Sequence, residues 1–438
     1  MKIALSAMHT ISQNCYDIDS FRSFFMYISA SDRTSNFRYA IRNVVAAADV
    51  LRKQGRDIVS LNIGDPQTFG FKPPEYVIEP VVRALRDGFT GYASSAGLFE
   101  AREAVSIYAN ATGDSITPDD VILTSGASEA ADLVLTALLN EGDEVLMPAP
   151  GYPLYDAILN KLGAVPRYYR LNDANNWQPD IEEVRSLVSP RTRAVVLINP
   201  NNPTGAITAD ATTTEFLQIA EENNLVVISD EVYRDLCFET APTPASVLAK
   251  GMDVPVITLE SLSKTHMLSG WRIGWMRFAN TAKITRLIEA IHRLASGRLC
   301  SPTPAQYAVR PALTGDNSDI REFIEQMRSR RDLAVRMVLE TDGISSTVPQ
   351  SAFYLMVKVA DLGGRTDEQF VIDLLQQSGV LAVHGSGFGT RPDEGYFRIV
   401  YLADEPTLKR AFDGIASMTG KHAIPVFNSD APNRVAAS

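Results

Sequence analysis

Short apolar runs and helical periodicities alternate along most of the chain. The runs at 121–123, 144–147, 194–198, 225–228 and 256–259 read as strands, and the segments 128–139, 152–162 and 211–223 carry apolar residues at helical spacing. Strands that alternate with helices need crossover connections. The pattern therefore predicts an α/β protein with a mostly parallel sheet covered on both faces. Upstream, Ile41, Val44, Val45, Ala48 and Leu51 follow i, i+3, i+4 spacing, which predicts an amphipathic helix ending near Gly55. Beyond about Arg310 the pattern changes. A long polar helix over 319–340 leads into strand signals at 353–357, 380–383 and 397–401, as expected of a second, α+β domain.

Composition narrows the class. The chain has 438 residues, enough for two to three domains, and its 45% hydrophobic and 21% charged content is that of a folded globular protein. Lys and Arg total 41 against 52 Asp and Glu, a net charge of −11 that opposes nucleic-acid binding. Cys15, Cys237 and Cys300 form neither a disulfide framework nor a metal-ligand spacing, which suits a reducing, cytoplasmic compartment. The five histidines show no H-E-x-x-H or clustered spacing, so no metal site is expected. No apolar run reaches the roughly 18 residues that a membrane-spanning helix requires. Residues 1–35 pair a short apolar start with an aromatic patch and read as a flexible extension rather than a secretory signal, and 419–438 as a flexible tail.

Four segments carry chemistry. Ser261-Leu-Ser-Lys-Thr-His-Met-Leu-Ser-Gly-Trp-Arg272-Ile-Gly274 places Lys264 just after an apolar strand, between hydroxyls and an arginine. Taken alone, a lysine is a solvated charge; partly buried beside another cation, its amine loses its proton more readily and can attack a carbonyl. Ile198-Asn-Pro-Asn-Asn-Pro-Thr-Gly205 holds two Asn-Pro steps that force an extended, turning backbone at a strand's carboxyl end. Val226-Val-Ile-Ser-Asp230-Glu-Val-Tyr233 delivers an aspartate where open α/β sheets bind ligands, although a helix N-cap reads the same way. Thr124-Ser-Gly-Ala-Ser-Glu-Ala130 is a strand, a glycine turn and a helix start, whose free N–H groups suit an anion.

Together, the order S-G-A-S-E-A, N-P-x-N-P-T-G, D-E-V-Y, S-x-S-K and W-R-x-G resembles the class I/II pyridoxal-phosphate-dependent aminotransferases of fold type I, over about Asn36 to Met418. Leu61-Asn-Ile-Gly-Asp-Pro, Phe69-Gly-Phe, Ala149-Pro-Gly-Tyr-Pro-Leu-Tyr and Arg298-Leu-Cys resemble the glutamate–pyruvate (alanine) branch. The resemblance implies a large domain over 65–310, built on a mostly parallel seven-stranded sheet between helices. It also implies a smaller α+β domain from 36–64 with 311–418.

By the same resemblance, Lys264 forms the Schiff base with pyridoxal 5′-phosphate and then shuttles the proton, while Asp230 pairs with the pyridine nitrogen. Tyr233 and Asn202 contact the ring hydroxyl, and Tyr152 stacks on the ring. Gly126, Ala127, Ser128, Ser261, Ser263 and Arg272 hold the phosphate. Arg398 clamps the substrate α-carboxylate in a bidentate geometry that lysine cannot reproduce, with Asn202 and the backbone of Gly64 in the same pocket. Tyr92 resembles the tyrosine that reaches the phosphate in the partner subunit, which implies a homodimer with shared active sites. At His384-Gly-Ser-Gly-Phe-Gly389 the chain departs from the family, where many relatives carry proline first.

The expected function is transfer of an amino group between an amino acid, with alanine indicated, and a 2-oxo acid such as 2-oxoglutarate or pyruvate, through the pyridoxamine form of the cofactor. Valine, aromatic or aspartate donors fit the same motifs, as does a pyridoxal-phosphate lyase. A cofactor-sensing regulator also stays open, although no basic recognition helix precedes Asn36. Phe69, Phe71, Tyr354 and the loop near Leu299 are the candidates for shaping the side-chain pocket.

Overall fold

The computed structural model describes residues 30–31 and 40–419. The expected N-terminal extension, apart from residues 30–31, and the expected tail, apart from Thr419, lie outside the described residues.

The large sheet runs in the order Val121–Thr124, Gly274–Ala279, Val256–Ser261, Val226–Asp230, Thr192–Ile198, Glu144–Ala149, Val165–Asn172, Gln178–Pro179. The pairs from Val256–Ser261 across to Val165–Asn172 are parallel; Gly274–Ala279 and the terminal Gln178–Pro179 run antiparallel to their neighbours. Eight strands are present where seven were expected. The eighth is a two-residue segment that pairs Leu171 with Pro179 and Asn172 with Gln178.

Alternation along each central strand feeds two cores. Ala194, Val196 and Ile198 pack with Val226 and Ile228 under the helices Ala127–Leu138, Leu154–Leu162 and Thr285–Gly297. Val195, Leu197 and Val227 face the opposite layer, which includes Phe216, Leu217 and Ala220 of the helix Asp210–Glu222. Burial on both faces is why these strands read as continuous apolar runs.

A second, antiparallel sheet orders Ile344–Ser346, Tyr354–Val359, Tyr396–Val400 and Val383–His384. Its register sets Met356 opposite Arg398 and Val383 opposite Arg398 on the other side. The helices Ser318–Glu340, Asp367–Ser378 and Glu405–Thr419 pack here, and Val59–Ser60 joins Val380–Leu381 as a short parallel pair. Among the described residues no helix is long and apolar enough to cross a membrane, and no cluster of three or more His, Cys, Asp or Glu is placed to hold a metal ion.

Candidate active site

The loops that follow five strands converge on one cavity of about 250 Å³. Ala127 and Ser128 come from the turn after Val121–Thr124, Tyr152 from the loop after Glu144–Ala149, and Asn202 from the loop after Thr192–Ile198. Asp230 ends its strand, with Tyr233 just beyond; Ser261, Ser263 and Lys264 lie at and beyond the end of the next. All sit at the carboxyl ends of these strands, where open α/β sheets form ligand crevices. Arg272 closes the same wall, and Gly64, Tyr354 and Arg398 enter from the smaller sheet and the segment that leads to it. Twelve of the fourteen cofactor- and substrate-site residues named from the sequence thus line one space; Gly126, next to Ala127, and Tyr92, 83% exposed, do not line it.

Lys264 Nζ donates to the Gly64 carbonyl at 2.7 Å and lies 6.0 Å from the centroid of the Phe353 ring. Asp230 is buried; one carboxylate oxygen accepts the Tyr155 hydroxyl at 2.9 Å and the other the Val232 N–H at 3.3 Å. Burial outweighs those two bonds and raises its pKa to about 6. The Tyr233 hydroxyl lies 2.8 Å from that of Tyr354, and burial, followed by the facing Tyr354, pushes its pKa well above the usual phenol range. Tyr155 was not anticipated from the sequence. It sits one helical turn beyond Tyr152 with an aromatic side chain that sequence pattern assigns to a core.

Gly126 has φ +82°, and a Cβ there would fall 2.4 Å from Arg272 Nη2, so only glycine lets the guanidinium cross the turn. Arg272 spans from the Ser269 carbonyl to the Ser125 carbonyl, each at 2.9 Å, and stands directly before the first turn of the helix Ala127–Leu138. A guanidinium and a helix N-terminus meeting over a glycine turn form a cradle for a dianion. The Ser261 hydroxyl accepts the Ser263 N–H at 3.3 Å along the rim.

Arg398 is 1% exposed. It donates to Asn202 Oδ1 at 3.0 Å and to the Asn62 carbonyl. Of the residues expected to shape the side-chain pocket, Tyr354 lines the cavity. Phe71 packs instead against Phe323 and Arg330, Leu299 is exposed, and neither these nor Phe69 line the cavity.

Behind Asp230 lies a buried charge cluster with no counterpart in the sequence reading. Arg277 bonds Asp114 and, at 2.9 Å, both Glu260 and the Ser246 hydroxyl; its other terminal nitrogen lies 3.6 Å from Glu231. Arg234 approaches Glu231 at 3.5 Å and Glu260 at 3.8 Å. Burial pushes both glutamates up; the arginines hold Glu260 below its usual range while Glu231 stays above it. The cluster ties the strand ends that carry Asp230 and lead to Lys264 to the adjacent strand Gly274–Ala279.

The donor set matches one cofactor chemistry: an amine, a buried carboxylate of raised pKa that a cationic ring nitrogen would relieve, an aromatic face and a dianion cradle around one cavity. These features define an α/β enzyme of the amine-transferring, strand-end-lysine type. The model for aminotransferase class I and II matches residues 56–415, and the chain belongs to that family. It is 36% identical over 394 residues to the glutamate-pyruvate aminotransferase AlaA of Haemophilus influenzae, covering 88% of this chain and 96% of that one. It is 34% identical over 398 residues to the alanine aminotransferase of Mycobacterium bovis, covering 88% and 91%. A solved alanine aminotransferase from Pyrococcus furiosus superposes with a TM-score of 0.87 at 41% identity, over 89% of this chain and 99% of that one.

Proposed function

We propose that this chain, loaded with pyridoxal 5′-phosphate, exchanges the amino group of alanine with 2-oxoglutarate, working in both directions as a homodimer in the cytoplasm. The observation that carries the reading is the convergence of Lys264, Asp230 and Arg398 on one cavity. The cofactor supplies an aldehyde that takes up amines and a ring that draws electrons from the bonds at the substrate's α-carbon.

Each residue then has a defined task. Lys264 Nζ, held at the Gly64 carbonyl, is the amine that carries the cofactor and later takes the proton from the substrate's α-carbon. Asp230, braced by Tyr155, keeps a proton on the ring nitrogen, and the charge pair offsets the cost of its burial. Tyr233 and Asn202 face the ring hydroxyl and Tyr152 covers the ring face. Gly126, Ala127, Ser128, Ser261, Ser263 and Arg272 receive the phosphate, joined by Tyr92 from a second copy of the chain. Arg398 grips the α-carboxylate, with Gly64 and Asn202 beside it. The division into a cofactor-binding domain (65–310) and a smaller domain (36–64 with 311–418) gives each substrate one wall from either side.

Alanine as donor rests on the names of the relatives rather than on the cavity. The test is the absorbance of the purified, cofactor-loaded protein before and after L-alanine, and again after 2-oxoglutarate. The cofactor band should shift with alanine and return with the oxo acid, and Lys264→Ala should abolish the cycle. A response confined to another amino acid would move the substrate; failure to take up the cofactor would overturn the reading.

A further inference from the structure

The carboxylate-gripping guanidinium lies within cation–π distance of two aromatic rings. The Arg398 Cζ is 4.5 Å from the centroid of Tyr354 and 4.6 Å from that of Phe388. Its edge is fixed separately, by Asn202 and the Asn62 carbonyl. Tyr354 lines the cavity and belongs to the site already described. Phe388 does not: it is 3% exposed and absent from the cavity wall.

Phe388 is held on all sides. It closes the 3₁₀ turn Gly385–Phe388, which begins at the departure from the family pattern. Both oxygens of the buried Asp367 receive Ser386, one from its N–H at 2.6 Å and the other from its hydroxyl at 2.8 Å, and His384 Nδ1 lies 2.8 Å from that hydroxyl. At the far end, the Phe388 carbonyl accepts the Gly151 N–H at 2.8 Å, next to Tyr152, and the Gly389 carbonyl accepts Arg170 at 2.7 Å. The backbone that carries the ring is thereby tied to both walls of the cavity.

We infer that Phe388 is a positioning residue for carboxylate recognition: it supplies the second of the two rings that hold the Arg398 guanidinium in plane for a bidentate grip. A flat guanidinium has two open faces, and a bidentate carboxylate needs its plane fixed. A hydrogen-bonded edge fixes position, whereas rings packed against the group fix tilt. The inference rests on Arg398 binding the substrate carboxylate, as proposed above.

The test measures carboxylate binding apart from turnover. Propanoate has alanine's carboxylate and methyl group but no amine, so its dissociation constant on the cofactor-loaded protein can be read by calorimetry beside KM and kcat. A cation–π face weighs from about fivefold to, when desolvated, about thirtyfold in an equilibrium constant. Phe388→Leu should therefore raise the propanoate Kd and the KM of both alanine and 2-oxoglutarate by about that factor, with kcat changed much less. Phe388→Tyr, which restores a ring, should recover wild-type values, and Phe388→Met replaces the leucine variant if the latter does not fold. A propanoate Kd within twofold of wild type in the ring-less variant, or a loss confined to kcat or to melting temperature, overturns the inference. Arg398→Gln separates the two claims. If it abolishes propanoate binding while Phe388→Leu does not, only the role of Phe388 is wrong; if it binds propanoate normally, the carboxylate assignment itself falls.

Discussion

Asp230 offers the sharpest test of how the site is built. In the cofactor-free protein its carboxyl is buried and its pKa stands near 6, against an ordinary value of 3.8. A carboxyl raised by folding stabilises the native state in its protonated form. That contribution is complete below the unfolded value and is lost as the pH climbs through about 6. Roughly two pKa units correspond to about 3 kcal/mol, so above pH 7 the ionised Asp230 makes the apoprotein less stable by about that amount than a neutral side chain of the same shape. Asp230→Asn is that side chain. Its amide oxygen can accept the Val232 N–H and its amide nitrogen can donate to the Tyr155 oxygen, so both contacts survive. Urea unfolding of the apoprotein at pH 8 should show the variant more stable by about 3 kcal/mol, with the gap closing as the pH falls toward 4. With pyridoxal phosphate bound the order should invert, because the ionised carboxylate then faces a ring N–H, and kcat should fall by about 10²-fold or more. An apo variant no more stable than wild type at pH 8, or a gap that ignores pH, would refute the account of a strained carboxylate waiting for its cation.

The other predictions concern the supports of the cavity. Gly126→Ala places a methyl against Arg272 at a positive φ, so the cofactor's dissociation constant, read by equilibrium dialysis, should rise about tenfold or more, the worth of one charge-assisted bond. Unchanged cofactor retention would show that the cradle tolerates a displaced guanidinium. Arg277→Met should lower the unfolding free energy by about 3–5 kcal/mol, since Asp114, Glu231 and Glu260 lose their shared cation. The removal raises the folded pKa of Glu231 and Glu260, so the loss should deepen as pH rises. A deficit under about 1 kcal/mol, flat with pH, would mean that Arg234 alone neutralises the cluster.

The strand-end residues were legible because a parallel strand buried on both faces writes itself as an apolar run and hands over to a turn with its own chemistry. Asp230 and Lys264 each stand at such a handover. Val165–Asn172 left no run, because one flank is open to solvent and Arg167 and Arg170 interrupt it. Gly274–Ala279 was hidden within the W-R-x-G signature, which drew the reading toward Arg272 and away from the antiparallel strand that begins two residues later. Tyr155 and Phe388 were missed for a different reason: an aromatic residue in an apolar context reads as core, and both are core residues that also brace a charge.

Long-range meetings were the least visible. Leu61-Asn-Ile-Gly-Asp-Pro carried a likeness to one branch of the family and, by resemblance, placed Gly64 in the carboxylate pocket; the structure adds that this segment holds both Arg398 and Lys264, through the Asn62 carbonyl on Arg398 and the Gly64 carbonyl on Lys264. It can thread there because a Cβ at Gly64 would fall 2.3 Å from the Tyr354 hydroxyl oxygen, which itself bonds Tyr233. That contact joins positions 290 residues apart in sequence and depends on the register that pairs Tyr354 with Val400 and Met356 with Arg398. A shift of one residue would turn Arg398 to the other face of its sheet, away from Asn62 and Asn202. The chemistry of the site is therefore carried by local motifs, while its geometry is carried by strand pairing in the smaller sheet: the hydrophobic pattern marks the strands near 353–357, 380–383 and 397–401 but not which residue of one pairs with which residue of the next.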